Sequence, residues 1–297
     1  MKKLRFTPEI ESALAANRAV VALESTVIAH GLPRPQNLET AQRVEQIVRE
    51  QGATPATIAV LDGKLCVGLN QQQIEQVANR DAIKKLSTRD LAVAVARRWD
   101  GATTVASTLW IAHRACVNVF ATGGIGGMHR GSLRDVSADL PELARTPMIV
   151  VCSGAKIVLD LPATREWLET YGITVVGYGC DEMPAFYSGR SGLAVDARCD
   201  SPEEVVQLFR MQRELGVESA LLVTVPVPVE AEVPQETLNK ILDRSLADAE
   251  DSNITGRELT PFILARMAER SEGVTLRANI ALLENNARVA AQIALAL

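Results

Sequence analysis

The chain has 297 residues, of which 47% are hydrophobic and 23% are charged, and its formal net charge is −5 at pH 7. This is an ordinary globular composition, and the chain is long enough to bury a core without disulfides or structural metals. The negative charge balance argues against general binding to nucleic acid or to an anionic membrane surface. No apolar run reaches the roughly 18 residues that a membrane span requires.

The five cysteines are widely spaced, and no Cys-x-x-Cys pair is present. This pattern argues against a zinc site and against a disulfide framework. The first residues, Met-Lys-Lys-Leu-Arg-Phe-Thr-Pro-Glu, contain no apolar segment of signal-peptide length. We therefore expect a cytoplasmic protein with reduced thiols.

Short β-branched runs alternate with longer amphipathic stretches along the chain. The predicted strands are residues 19–23, 57–61, 117–121, 148–152, 174–177 and 220–225. The predicted helices are residues 37–50, 203–215, 235–250, 258–269 and 274–297. This alternation predicts an α/β fold in a single domain over residues 1–297, a three-layer α/β/α sandwich with a largely parallel or mixed central sheet. The proline-rich segment 225–229 is predicted to be a loop that leaves a strand end within reach of the site.

Glu24 directly follows the apolar run Val20-Val21-Ala22-Leu23. A carboxylate at the end of a buried strand is costly unless it is paired or used. Partial burial would raise its pKa and suit it to general acid catalysis. The alternative is a structural carboxylate in an ion pair or at a helix N-terminus.

Four glycines lie within residues 123–127 of the segment Ala121–Gly131, which follows an apolar run predicted to be a buried strand. Glycine lets the backbone adopt positive φ and approach a ligand closely, and successive amides can bind an anion. His129, Arg130 and Asp135 follow at once, as in active sites at the ends of α/β strands. The spacing is that of neither a P-loop nor a dinucleotide-binding turn. The alternative is a tight turn without a ligand.

Lys156 follows a predicted strand and a turn of small residues, at the predicted start of a helix. The helix dipole and the apolar strands nearby would both disfavour its ammonium form. A neutral lysine can attack a carbonyl carbon to give a Schiff base. The alternative is a phosphate-binding or surface lysine.

Asp135 and Asp139 are four residues apart with Ser137 between them. Oxygen ligands of this kind suit Mg²⁺ or Mn²⁺ when waters and substrate complete the coordination. The alternative is that Ser137 or Asp139 caps the helix that follows.

Two further clusters are polar, residues 85–90 and residues 101–108. The first contains cationic side chains, and the second contains small hydroxyl side chains at a predicted helix start. Both are suited to holding a phosphate, although helix capping explains either equally well. His129 is a stronger candidate than His30, which follows Glu24 closely. Polar residues of the last helix, Asn279 among them, either reach the site, reach a neighbouring subunit or simply pack.

Taken together and in order, these segments resemble the pseudouridine-5'-phosphate glycosidase family, a related branch of which includes the indigoidine synthase A domain. The matching segments are residues 21–26, 30–37, 55–59, 86–91, 101–108, 121–131, 135–139 and 151–156, and the resemblance continues at 260–262 and around Asn279. Each motif is weak alone, but the ordered set spans nearly the whole chain and is specific.

The resemblance implies reversible cleavage of the C–C glycosidic bond of pseudouridine 5'-phosphate to uracil and ribose 5-phosphate by a homotrimer. It implies one divalent ion per subunit, typically Mn²⁺ with Mg²⁺ as an alternative, held by Asp135. It implies that Glu24 is the proton donor and Lys156 the nucleophile. The substrate-binding positions that it implies are Lys85, Thr104, Val105, His129, Ser137, Ala138, Asp139 and Asn279.

Some positions depart from the family pattern. The stretch between Arg130 and Asp135 is shorter than expected, Val225 stands where asparagine is expected, and Leu259 stands where a small hydroxyl is expected. Lys84 and Lys85 are adjacent, and either one could bind the phosphate. Three alternatives remain: a Schiff-base aldolase that uses the same lysine, a sensor that binds a nucleotide phosphate without reacting, and an indigoidine-branch homologue with a modified substrate.

Overall fold

The computed structural model describes residues 3–130, 135–254, 256 and 259–297. Within these ranges, eleven strands form one mixed, mostly parallel sheet. Its strands are β1 (Leu4–Phe6), β2 (Val20–Leu23), β3 (Thr54–Leu61), β4 (Lys64–Val67), β5 (Lys84–Leu86), β6 (Gly101–Thr103), β7 (Val119–Ala121), β9 (Ile149–Cys152), β11 (Thr174–Tyr178), β12 (Ala197–Cys199) and β13 (Leu221–Thr224). The short strands β8 (Met128–His129) and β10 (Leu159–Asp160) pair with each other.

Helices flank this sheet. They are α1 (Pro8–Ala15), α2 (Gln36–Glu50), α3 (Gln71–Asn79), α4 (Leu91–Arg97), α5 (Val105–Arg114), α6 (Asp139–Leu143), α7 (Leu161–Thr170), α8 (Pro202–Glu214), α9 (Gln235–Asp251), α10 (Leu259–Arg270) and α11 (Val274–Ala296). A π-helical turn occupies Val27–Gly31, and 3₁₀ turns occupy Thr88–Asp90 and Val229–Ala231.

The centre of the sheet is a parallel run in the order β3-β2-β7-β9-β13-β11. Strands β2, β7, β9 and β13 are buried along their whole length, which explains why they read as continuous apolar runs rather than as alternating patterns. All six predicted strands are present here, so this part of the prediction is confirmed. The carboxyl ends of β2, β7 and β9 lie side by side at one edge of the sheet.

Antiparallel pairing enters at the other side of the sheet, where β3 pairs with β4 and with β6. Asp62 and Gly63 connect β3 to β4 with φ of 51° and 69°. Positive φ at both central residues is the signature of a tight hairpin turn, and Asp-Gly is among the sequences that favour it. The sheet is therefore mixed rather than purely parallel.

The two helical layers pack on the sheet from opposite sides. Helix α11 packs against β2, β7, β9 and α2, whereas α5 packs against β2, β3 and β4. The alanine-rich buried face of α11 lets this helix lie close to the strands. The predicted α/β/α sandwich is thus confirmed.

The ends of the predicted helices agree with the observed ends within one or two residues. The predicted start of α10, Glu258, lies outside the described residues. Residues 225–229 form a loop up to the 3₁₀ turn, as predicted. This loop packs on α11, where Asn285 Nδ2 donates to the Pro226 carbonyl at 3.4 Å, and none of its residues lines the cavities around Glu24. In the described ranges, no helix combines the length and apolar character needed to cross a membrane.

Candidate active site

Three neighbouring strands bring their following residues to one cleft. Glu24 directly follows β2, Thr122 directly follows β7, and Lys156 lies four residues beyond the end of β9. The cleft has a volume of about 1070 Å³ and is lined by both Glu24 and Lys156. The other predicted site residues that line it are Lys85, Thr104, Val105, His129, Asp135, Ser137, Ala138 and Asp139.

Asn279 does not line this cleft but an adjoining cavity of about 480 Å³. That cavity is also lined by Glu24, Lys85, Lys156 and His30. Because three of these side chains line both spaces, the two cavities meet at Glu24 and Lys156. The structure therefore brings all the predicted site residues together in one connected region.

Glu24 is almost completely buried, with 6% of its surface exposed. Its Oε1 accepts a hydrogen bond from the Thr122 hydroxyl. Burial raises the pKa of the Glu24 carboxyl, against the opposing effects of the Lys156 ammonium and the Thr122 hydrogen bond. A carboxyl group whose raised pKa keeps it protonated to higher pH suits a proton donor rather than an ion-paired structural carboxylate.

A network of buried hydroxyls holds the turn that carries Glu24. The Ser25 hydroxyl donates to the Ile58 carbonyl at 2.6 Å and accepts from the Thr103 amide at 2.8 Å. The Thr103 hydroxyl donates to the same carbonyl at 2.7 Å. Glu24 is thereby fixed to β3 and β6 as well as to its own strand.

The π-helical turn after Glu24 adds two polar atoms to the site. Among the described residues, Thr26 Oγ1 and His30 Nε2 are buried without a hydrogen-bond partner, and both residues line the Asn279 cavity. Burial and the charge of Lys85 lower the pKa of His30, so its imidazole is neutral. Unpaired buried polar atoms at a cavity wall are where a ligand would bind. Sequence reasoning passed over Thr26 and ranked His30 low. The signal that marks this region is visible only in the structure, because π-helical turns are rare and often occur at functional sites.

Lys156 does not start a helix, so that part of the prediction is wrong. Its amide donates to the Ile125 carbonyl at 3.1 Å, beside the glycine-rich segment, and α7 begins only at Leu161. The helix-dipole argument therefore fails. The apolar surroundings remain, because Ala155, Ile157 and Val158 are all buried.

The four glycines between residues 123 and 127 serve close packing rather than positive φ. Gly123, Gly124, Gly126 and Gly127 all have ordinary φ values, which corrects the prediction. A Cβ on Gly126 would overlap the Ser137 hydroxyl, and one on Gly124 would lie 2.8 Å from the Phe186 ring. Gly131 lies outside the described residues.

Asp139 and Asp135 have different environments. Asp139 is buried, and its carboxylate accepts from the Ala106 amide of α5 at 2.9 Å and from the Gly126 amide at 2.8 Å. It thus ties α5 to the glycine-rich segment instead of capping its own helix. The Ser137 hydroxyl accepts a hydrogen bond from the Asp139 amide at 3.2 Å, but Ala138 stands at the N-cap of α6, which therefore has no capping side chain. Asp135 has a side chain that is 47% exposed, with Oδ2 3.9 Å from His129 Nδ1.

Lys85 and Lys84 face different surroundings. Lys85 lines both cavities, whereas Lys84 Nζ lies over the Trp99 ring, 4.6 Å from its centroid. Arg89 and Ser87 line the cleft together with Lys85. Sequence reasoning singled out the cluster 85–90 for phosphate but named neither Arg89 nor Ser87 individually as a site residue.

Comparisons with known proteins place the chain in a family. A sequence model of the family described as "Indigoidine synthase A like protein" matches residues 9–296. A protein of Herpetosiphon aurantiacus named pseudouridine-5'-phosphate glycosidase is 51% identical over 299 aligned residues, covering 100% of this chain and 99% of the relative. A protein of Paracoccus denitrificans with the same name is 50% identical, with 99% and 98% covered.

Two solved structures share the fold over nearly their whole length. An indigoidine synthase A-like protein from Thermotoga maritima superposes with a TM-score of 0.90 at 36% identity, covering 98% of this chain and 95% of that one. The prealnumycin C-glycosynthase AlnA, solved in complex with ribulose 5-phosphate, superposes with a TM-score of 0.92 at 37% identity, covering 100% and 97%. With the family match and the full-length relatives, these similarities show that the chain belongs to the indigoidine synthase A-like family.

Proposed function

We propose that this protein reversibly cleaves the C–C glycosidic bond of pseudouridine 5'-phosphate, giving uracil and ribose 5-phosphate. The observation that carries the proposal is that the buried Glu24 carboxyl and the Lys156 amine converge on one cleft beside Lys85. The full-length relatives named pseudouridine-5'-phosphate glycosidase support it. So does AlnA, a C-glycosynthase of the same fold solved with a five-carbon sugar phosphate.

The chemistry requires more than the usual glycosidase pair. In a C–C glycosidic bond the leaving group has no heteroatom to protonate, so catalysis by two carboxylates does not apply. Opening the sugar ring first makes the bond breakable, because a nitrogen on C1' can then supply the electron pair that expels the base. An acid and an amine are the two groups that this route needs.

The first step opens the ring. Glu24 gives its proton to the ring oxygen O4' while Lys156, reacting as the free amine, attacks C1', so the C1'–O4' bond breaks and a C1'–Nζ bond forms. The product is a linear sugar phosphate attached to Lys156, with Glu24 ionised and the new amine protonated.

The second step releases the base. The amine loses its proton, its lone pair forms a C=N bond to C1', and the C1'–C5 bond breaks with its electrons passing to C5 of uracil, which takes up that proton. Water then hydrolyses the Schiff base, which frees ribose 5-phosphate and the Lys156 amine and returns a proton to Glu24. Covalent catalysis thus divides one difficult cleavage into easier steps.

We assign the 5'-phosphate to the region around Lys85. Lys85, Ser87 and Arg89 line the cleft together with Thr104 and Val105 at the N-terminal end of α5. Two cations, a hydroxyl and a helix N-terminus form a favourable environment for a phosphate. Holding the phosphate there would align C1' with Lys156.

We propose Asp135 as the ligand of a divalent ion, Mn²⁺ or Mg²⁺. The described residues contain no group of three or more His, Cys, Asp or Glu that could hold a metal. A half-exposed carboxylate at the cleft does fit an ion whose remaining ligands are waters and substrate oxygens, as these hard cations accept. When bound, the ion would orient the base or polarise one of its carbonyls.

We also propose that the protein is a cytoplasmic homotrimer. All five cysteines are free, which suits a reducing compartment. Light scattering of the purified protein should give three times the chain mass of 32.0 kDa. A mass of one or two chains would contradict the trimer but not the reaction.

The decisive experiment is chromatography of pseudouridine 5'-phosphate after incubation with the purified protein, with Mn²⁺ and with EDTA. We expect uracil and ribose 5-phosphate with Mn²⁺ and a strong reduction with EDTA. Lys156→Ala should abolish turnover, and borohydride should trap a sugar adduct only when Lys156 is present. Turnover in Lys156→Ala would contradict the mechanism, and binding without turnover in the wild type would favour a sensor. An adduct without uracil release would favour an aldolase or a modified substrate.

A further inference from the structure

The last helix, α11, carries one fully buried side-chain amide that contacts the residues directly after β7 and β9. Asn286 on α11 is 0% exposed. Its Nδ2 donates to the Thr122 carbonyl at 2.9 Å, to the Gly123 carbonyl at 3.4 Å and to Ser153 Oγ at 3.1 Å. These partners are more than 130 positions away in the sequence, so the contact depends entirely on the tertiary fold.

The contact bears on Glu24 through Thr122. The Thr122 carbonyl accepts a hydrogen bond from Asn286 Nδ2, and the Thr122 hydroxyl donates one to Glu24 Oε1. Its amide donates to the Val151 carbonyl at 3.0 Å, so the residue is held from both sides. Ser153 lies within 3.3 Å of Asn286 Oδ1, which orients the amide with its N–H groups toward Thr122 and Gly123.

Only a side chain with two N–H donors and little length can make this set of contacts. The Thr122 and Gly123 carbonyls are acceptors in a buried region, and losing a donor there leaves them unsatisfied. An apolar residue of similar size would leave the turn after β7 free to shift. Since Thr122 carries the hydrogen bond to Glu24, such a shift would move the acid.

We propose that Asn286 is a positioning residue for catalysis, which holds Thr122 so that the Thr122 hydroxyl fixes the orientation of the Glu24 carboxyl. Asn286 itself lines neither the cleft nor the Asn279 cavity. This inference rests on the proposed function for the role of Glu24, but the contacts themselves do not depend on it.

The test is a double-mutant cycle with Asn286→Leu and Thr122→Val, in which kcat, KM and the pH profile are measured for pseudouridine 5'-phosphate. We expect each single variant to lower kcat by roughly 10–100-fold with little change in KM, since small misplacements of catalytic groups have effects of this size. If Asn286 acts through Thr122, the double variant will be no slower than Thr122→Val alone. Fully additive losses would overturn the proposal.

A second readout follows the Glu24 carboxyl directly. The charged groups that face Glu24 are Lys156 beyond β9, Lys85 on β5 and Asp139 on α6, and none of them is altered in these variants. Because the Thr122 hydrogen bond lowers the pKa of Glu24, losing it should move the Glu24 titration to higher pH in both single variants. Carbon NMR of protein labelled at the glutamate carboxyl carbon measures this without substrate, with Glu24→Gln identifying the signal.

The matched control is Gln292→Leu, which removes an amide hydrogen bond from the same helix. Gln292 Nε2 donates to Gln51 at 3.2 Å, away from both cavities, so kcat and the titration should stay as in the wild type.

Asn286→Ala, which leaves room for a water, replaces Asn286→Leu if that variant does not fold. An altered melting temperature with unchanged kcat and titration would reduce Asn286 to a structural residue. A wild type that does not cleave the substrate would contradict the proposed function, and the NMR titration would still decide the role of Asn286.

Discussion

At the scale of single residues, two carboxylates of the same cleft differ in how deeply they are buried. Glu24 is buried and accepts from one hydroxyl, and its pKa is raised, whereas the Asp135 side chain is half-exposed at the cleft surface. A buried carboxyl tends to keep its proton, while an exposed one ionises and can hold a cation. These two environments support the roles that we propose, proton donation for Glu24 and metal binding for Asp135.

Replacing Lys85 tests the assignment of the phosphate. Lys85→Met should lower kcat/KM for pseudouridine 5'-phosphate by roughly 10–100-fold, because a hydrogen bond to a charged group contributes about 1.5–3 kcal/mol. Lys84→Met is the control, since Lys84 lies over Trp99 and not in the cleft. Steady-state kinetics with pseudouridine as a second substrate completes the test. Equal losses in both variants, or an equal loss with the unphosphorylated nucleoside, would contradict the assignment.

The pH dependence of kcat tests the role of Glu24. A proton donor must be protonated, so kcat should fall as pH rises through the raised pKa of Glu24, and Glu24→Gln should have almost no activity at any pH. Glu45 is a matched control, because burial also raises its pKa and it lies outside the cleft. Glu45→Gln should keep the wild-type pH profile of kcat. A wild-type profile that remains flat on the basic side would contradict general acid catalysis by Glu24.

Folding stability follows the same two groups. Because the folded-state pKa of Glu24 and of Glu45 lies above the ordinary value of 4.5, each contributes stability that is fully present below that value. This contribution is lost as pH rises through the raised folded-state pKa. Urea unfolding at a series of pH values should therefore show a weaker loss of stability with rising pH in either glutamine variant than in the wild type.

At the scale of elements, the active cleft depends on how closely the glycine-rich segment approaches α6 and the turn before it. Asp139 accepts amide hydrogen bonds from Gly126 and from Ala106 of α5, so one carboxylate joins three elements. The segment can lie this close only because Gly126 has no side chain. At Gly126, glycine is thus required for packing and not for backbone conformation.

Gly126→Ala should therefore damage the site. The added Cβ would overlap the Ser137 hydroxyl and lie 2.7 Å from Asp139 Oδ2, so we expect a destabilisation of about 1–3 kcal/mol and a clear loss of kcat/KM. Gly123→Ala is the control, since its Cβ would meet flexible leucine side chains at 3.2 Å. Urea unfolding and steady-state kinetics on both variants measure the difference. Similar effects from the two substitutions would show that close packing at Gly126 is not special.

At the scale of the whole molecule, the fold leaves the five thiols unequal. Cys116 is exposed, Cys180 is half-buried, and Cys66, Cys152 and Cys199 are buried. Burial raises the pKa of Cys152 to about 12 and that of Cys180 to about 11, so neither forms the reactive thiolate near neutral pH.

Thiol titration with an aromatic disulfide reagent tests this distribution. In the native protein we expect one fast-reacting thiol, Cys116, and in denaturant all five should react. Cys116→Ser should remove the fast phase and leave the melting temperature within error of the wild type. Several fast thiols in the native protein would contradict the packing of the core, and none would indicate that a neighbouring subunit covers Cys116.

The parts of the fold that sequence alone predicted are those with a local physical cause. Buried parallel strands read as β-branched runs, and amphipathic helices show their apolar stripe, so the sheet centre and the long helices were predicted correctly. The prediction missed strands of only two or three residues, which carry little pattern and pair only where a partner is present; these are β1, β5, β6, β8, β10 and β12. The hairpin to β4 was overlooked despite the Asp62-Gly63 signal.

By itself, the sequence determined the α/β/α architecture, and it indicated that Glu24, the glycine-rich segment and Lys156 would meet, because polar side chains placed after buried strands gather where those strands end. The other expected site residues, Lys85 and Ser137 among them, followed from the resemblance to the family. Only the tertiary structure decided how these residues are used. It placed Lys85 rather than Lys84 in the cleft, since neighbouring strand residues point to opposite faces. It placed the Asp139 carboxylate where it accepts hydrogen bonds from the Ala106 and Gly126 amides. It also brought the Asn286 side chain within hydrogen-bond distance of the Thr122 carbonyl. Contacts between distant residues have no local pattern, so they exist only once the chain is folded.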